Sequence, residues 1–143
     1  MKQKKVIWFL LVGIVFVLSR GLGLDRFVTT DETPWLMRSG NFYYALGQRD
    51  FIKTDQGINP GVTTMWINTA AFLIEVPEYR GFGQGYFKHY VDFDRFVISK
   101  DIDAHQVIVT GRKLMLIENL ILFLVAFGFS IRLLGLLLSC AHF

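Results

Sequence analysis

Leu114-Met-Leu-Ile-Glu-Asn-Leu-Ile-Leu-Phe-Leu-Val-Ala-Phe-Gly-Phe-Ser-Ile-Arg132 decides the class of this chain. Residues 114–138 are nearly all Leu, Ile, Val and Phe, with Glu118, Asn119 and Arg132 as the main interruptions. A helix rises about 1.5 Å per residue and needs about 20 apolar residues to cross the hydrocarbon of a bilayer. The run supplies them, and the reading is a span over about 113–132 with Arg132 at its cytoplasmic end. Glu118 and Asn119 are expensive in hydrocarbon, so they face either a protein partner or cavity, or the hydrated end of the span. Beyond Arg132, residues 133–143 begin another apolar segment too short to cross again, so the chain is expected to stop inside a larger membrane protein.

Working toward the N-terminus, a second apolar run covers residues 6–18 behind the basic start Met1-Lys-Gln-Lys-Lys5. Cleavage after Ser19 as a signal peptide competes with an uncleaved span of about 5–24, in which Arg20 snorkels and Gly21-Leu-Gly-Leu24 continues the apolar character. The uncleaved span fits the length rule better.

Composition agrees with a membrane protein. The 143 residues are 52% hydrophobic, and mean hydropathy is +0.40. The formal charge of +3 is unevenly placed, because residues 21–113 hold ten Lys/Arg against eleven Asp/Glu. The excess sits at Lys2, Lys4, Lys5, Arg20 and Arg132, as expected when basic residues are retained on the cytoplasmic side. That distribution argues against a nucleic-acid partner. The single Cys140 makes no internal disulfide. His89 and His105 lack partners at ligand spacing, so no metal site is assigned.

Residues 25–112 are then an extracytoplasmic loop, opening with Val28-Thr-Thr-Asp-Glu-Thr-Pro-Trp-Leu36. Asp31 or Thr33 suits a helix cap, with Pro34 tolerated in the first turn. The helix is expected to reach about Leu46, with Trp35, Leu36, Ser39, Phe42, Tyr43 and Leu46 on one side and Gly47 as a left-handed stop. That aromatic stripe suits a helix lying in the membrane interface. Residues 48–57 read as polar connection, Asn59-Pro-Gly61 as a turn, and 62–74 as a second helix ended by Pro77. Gly81-Phe-Gly-Gln-Gly85 lacks the strand before it and the Lys-Ser/Thr after it that a phosphate loop needs, and reads as a linker. A further helix starts after Asp101 or Asp103 and runs into the second span.

The ordered set Arg20-Gly-Leu-Gly-Leu24, Asp31-Glu32, the helix at 35–47, Asn59-Pro-Gly-Val-Thr-Thr-Met-Trp66 and Gly111-Arg112 resembles the start of a GT-C glycosyltransferase. The resemblance is to the protein O-mannosyltransferase-like and aminoarabinose-transferase-like membrane branch, and it covers nearly the whole chain as an N-terminal portion. It departs at Asn59, where relatives often carry His. It implies sugar transfer from a polyprenyl-phosphate-linked donor to an extracytoplasmic acceptor, with no cofactor. Asp31 would be the general base and Glu32 its support, while Arg38, Asn59 and Arg112 would bind substrate. The fold expected is an all-α membrane protein: two transmembrane helices flanking a long extracytoplasmic loop with interfacial helices, one N-terminal unit over residues 1–143. The expected location is a bacterial plasma membrane, with the N-terminus in the cytoplasm. Such a unit needs further transmembrane helices to enclose a lipid-linked donor and is expected to be inactive alone. The competing class is a non-enzymatic two-span membrane subunit or binding protein, packing by its spans through Glu118 and Asn119.

Overall fold

The computed structural model describes residues 2–26, 28–57, 61–79 and 86–140. Every regular element among them is helical: α1 Lys2–Gly21, α2 Glu32–Gly47, a 3₁₀ turn Phe51–Thr54, α3 Val62–Glu75, α4 Tyr90–Ser99 and α5 Ala104–Cys140. The chain forms two compact units, Met1–Leu22 with Leu116–Phe143, and Gly23–Met115.

In the first unit α1 meets the apolar part of α5. Phe9 and Phe127 approach to 4.9 Å between ring centroids, and Phe16 stacks on Phe123 at 5.5 Å. The rising and falling numbers make the two helices antiparallel. Their other faces, including Leu10, Ile14, Leu122, Val125 and Phe129, are exposed. A helix apolar around its whole circumference needs a nonaqueous surrounding. Within α5 the stretch Ala104–Leu133 is long and apolar enough to cross a membrane, and α1 offers the shorter apolar segment Ile7–Gly21. Glu118 is half-buried, and Asn119 is exposed.

The second unit has a core of its own. Leu36 and Met37 of α2, Ala71 and Phe72 of α3, Tyr79, Phe93 and Val97 of α4, and Val107 and Ile108 of α5 are buried together. Phe72 stacks on Tyr79 at 4.6 Å, while Phe93 meets Phe72 edge-on at 6.1 Å. Helices α2 and α3 are antiparallel, since Thr69 Oγ1 donates to the Ser39 carbonyl and Phe42 meets the Trp66 ring edge-on. The stripe containing Leu36, Ser39 and Phe42, expected in the membrane interface, is buried in this core instead. A periodic apolar face serves either surrounding, and here the partner is protein.

The helix ends differ from the sequence expectation in an instructive way. Gly47 is the last helical residue, and the left-handed position is Arg49 with φ 58°. The Arg49 N–H donates to the Leu46 carbonyl and the Asp50 N–H to the Ala45 carbonyl, the paired bonds of a Schellman stop. α4, absent from the sequence expectation, ends the same way at Asp101 with φ 57°, through Asp101 N to Ile98 O and Ile102 N to Val97 O. That leaves Asp103 as the cap of α5, its carboxylate accepting from the N–H groups of His105 and Gln106 at 3.0 and 3.3 Å. Pro77 follows α3 closely, as expected. The Asn59-Pro60 turn and the 81–85 linker lie outside the described residues.

Buried Asn41 ties the two halves of this unit together. Its Nδ2 donates to the Phe87 carbonyl at 2.8 Å, and its Oδ1 accepts from the Phe87 N–H at 2.9 Å.

Candidate functional site

The chain enters α2 through Val28-Thr-Thr-Asp-Glu32, and the two acids there have different surroundings. Asp31 occupies the N-cap position and is exposed, and its side chain makes no capping hydrogen bond. Its carbonyl accepts from the Trp35 N–H at 3.0 Å, so its backbone starts the helix while its carboxylate remains in solvent.

Glu32 is the opposite case. Its Oε2 accepts from the Thr29 N–H at 2.7 Å, closing a turn just ahead of the helix. Arg112 grips the same carboxylate with two parallel bonds, Nε to Oε1 and Nη2 to Oε2, each 2.7 Å. The third guanidinium nitrogen, Nη1, donates to the Leu24 carbonyl. Both side chains are largely withdrawn from water, 17% exposed for Arg112 and 16% for Glu32. Burial alone would push the Glu32 carboxyl up, but the hydrogen bonds and positive charge of Arg112, with the Thr29 N–H, hold it below its ordinary range.

Gly111, just before Arg112, packs against α3. A Cβ at residue 111 would stand 2.7 Å from Asn68 Oδ1 and 3.8 Å from Ala71 Cβ, so a side chain there would displace the Asn68 amide. Two further bonds hold the same helices. Glu75 accepts from Gln106 Nε2 at 2.5 Å and from the Thr110 hydroxyl.

Beside the ion pair lies a cleft lined by Glu32, Trp35, Asn68, Ile108, Arg112 and Met115, with a cavity of about 40 Å³. That is room for a water or two and far below the hundreds of Å³ usual for a ligand pocket.

Of the residues singled out from sequence, the structure joins Glu32 to Arg112 and sets Asp31 next to them. Arg38 is half-buried on α2. It stands seven residues after Asp31, and Trp35 stands four after it, so the three share one stripe of the helix. Asn59 lies outside the described residues. Sequence reasoning passed over Asn68 and the Leu24 carbonyl, which carry no local signal, and over the bond from the Thr29 N–H to Glu32. Among the described residues no three His, Cys, Asp or Glu side chains gather as a metal site would require. No family model, curated protein or solved structure matches the chain.

Proposed function

We propose that this chain is the N-terminal membrane unit of a GT-C glycosyltransferase of the protein O-mannosyltransferase-like or aminoarabinose-transferase-like kind. It takes a sugar from a polyprenyl-phosphate donor and passes it to an extracytoplasmic acceptor. α1 and α5 both cross the membrane on this reading, with residues 25–112 outside and Met1 in the cytoplasm. Further helices complete the donor site, since two spans cannot surround a lipid-linked sugar.

The observation that carries the reading is the division of labour between the two acids. Glu32 is locked by Arg112 and Thr29, whereas the adjacent Asp31 carboxylate is exposed and free of capping duty. In the proposed reaction the acceptor hydroxyl gives its proton to Asp31. The acceptor oxygen bonds to the anomeric carbon on the face opposite the phosphate. The carbon–oxygen bond to phosphate breaks, and its electron pair leaves on the phosphate oxygen. Charge grows on that phosphate, and a cation near it lowers the barrier. Arg38, on the Asp31 stripe, is better placed for this than Arg112, whose guanidinium serves Glu32 and Leu24. Asn59 remains assigned to substrate.

Asp31→Asn in the complete membrane enzyme is expected to cut transfer by about two to four orders of magnitude while insertion and Glu32–Arg112 pairing persist. Radiolabelled sugar release from the lipid donor measures it, and undiminished turnover would remove Asp31 from the role of base.

A second reading, a non-enzymatic two-span subunit, is favoured by the small volume of the cleft beside Arg112. There Asp31→Asn is silent, and the spans pack against partner helices in the bilayer.

A further inference from the structure

The 3₁₀ turn Phe51–Thr54 holds two large apolar side chains in solvent. Phe51 is 69% exposed and Ile52 88%. The turn is tied from behind. The Lys53 N–H donates to the Asp50 carboxylate at 3.3 Å, Thr54 Oγ1 to the Phe51 carbonyl at 2.7 Å, and buried Gln56 Nε2 to the Lys53 carbonyl at 2.6 Å. Arg49 leads into it with φ 58°, a conformation unfavourable for a non-glycine residue. The backbone therefore fixes Phe51 and Ile52 outward.

Because α3 is antiparallel to α2, its first turns lie at the end where α2 stops, the end from which the 3₁₀ turn leaves. They add Val62, 59% exposed, and Trp66, 52% exposed, its ring resting edge-on against Phe42. Four large apolar side chains thus crowd one end of the unit Gly23–Met115. Large exposed apolar side chains gathered at one end of a unit mark a binding surface.

We propose that this end of the unit is a lipid-binding face, on which Phe51, Ile52 and Trp66 enter the headgroup boundary of a phospholipid bilayer. The same chain carries in α5 a stretch apolar and long enough to cross a bilayer. The inference rests on the proposed reading in that α5 spans the membrane: the unit Gly23–Met115 is then held to a lipid surface by its own chain, ahead of any dissolved partner. The charges at the turn agree with that occupant. The Asp50 and Asp55 carboxylates are directed onto the N–H groups of Lys53 and Gly57. Lys53 also pairs with Asp50 at 2.7 Å, whereas exposed Arg49 has no acidic partner among the described residues and is available to headgroup phosphates. Aromatic and aliphatic side chains beside basic ones are the composition of an interfacial anchor. The inference is independent of any chemistry at Asp31.

The full chain with Cys140→Ser is labelled at Ile52→Cys with an environment-sensitive fluorophore and reconstituted in phosphatidylcholine vesicles containing a minor fraction of phosphatidylglycerol. A control carries the label at exposed Glu78→Cys. The expected result is blue-shifted emission at position 52 and its loss when the lipids carry a doxyl quencher near the headgroup, with little change at position 78. Adding Phe51→Asp should return the label at 52 toward water-like emission; both side chains are exposed, so the fold does not depend on them. Equal quenching at the two positions would overturn the proposal. So would a label at 52 shielded from water yet untouched by the lipid quencher, the signature of a protein partner or second copy on the patch.

Discussion

At the scale of single residues, Arg112 does more for Glu32 than for any ligand. Its removal leaves a largely buried carboxylate with one backbone donor. Arg112→Ala should therefore destabilise the unit Gly23–Met115 by about 2 kcal/mol, between the small contribution of an exposed ion pair and that of a fully buried one. The pairing also sets a pH dependence. Glu32 titrates below its ordinary value of 4.5 in the folded chain, so the stability it contributes is complete above that pH and is lost as pH falls through the lower folded value. Glu32→Gln should flatten the acid limb of a denaturation curve taken against pH, and an unchanged limb would show that another carboxylate governs it. The local half of this arrangement was legible, because an acid at a helix start is ordinary. The other half was not, because the partner stands 80 residues away and only the fold brings α5 to the start of α2.

Glycines separate the elements that must touch from those that need not. A Cβ on Gly40 would lie 2.9 Å from the Tyr79 hydroxyl oxygen and 3.3 Å from a Phe93 ring carbon, both on buried side chains. Gly40→Ala should cost about 1–3 kcal/mol through this overpacking. Gly47 has open space around it and an ordinary helical φ, so Gly47→Ala should be neutral or gain up to about 1 kcal/mol from helix propensity. Thermal melts of the two variants, moving in opposite directions, check the comparison; equal losses would contradict it. From sequence Gly47 was the glycine with meaning, because glycine commonly ends helices. The Schellman stop at Arg49 overrides that preference with two backbone hydrogen bonds. Elements with a long apolar period, α3 and the outer part of α5, were readable to within a few residues. α4 was not, since its ten residues mix aspartates with aromatics and only Phe93 and Val97 are buried.

For the whole molecule, composition pointed to helices and membrane, and every regular element among the described residues is helical, with one helix long and apolar enough to cross. What composition hid is that the loop between the apolar helices has a core of its own, in which Tyr79 stacks on rings of α2 and α3 and Phe93 of α4 meets Phe72 edge-on. Periodicity says that a face is apolar and does not say whether lipid or protein covers it. The charge bias at the ends makes a firm topological prediction. With Cys140→Ser, an Asp55→Cys chain in intact cells should react with a membrane-impermeant maleimide; reaction only after lysis would reverse the orientation.

The exchange of bonds between Asn41 and Phe87 gives this core an attachment between its halves besides the peptide that joins them. Tyr79 is anchored among α2, α3 and α4, and Phe87 is anchored to α2, so each side of residues 80–85 has its own attachment. A break in the chain there would leave two fragments that still recognise each other.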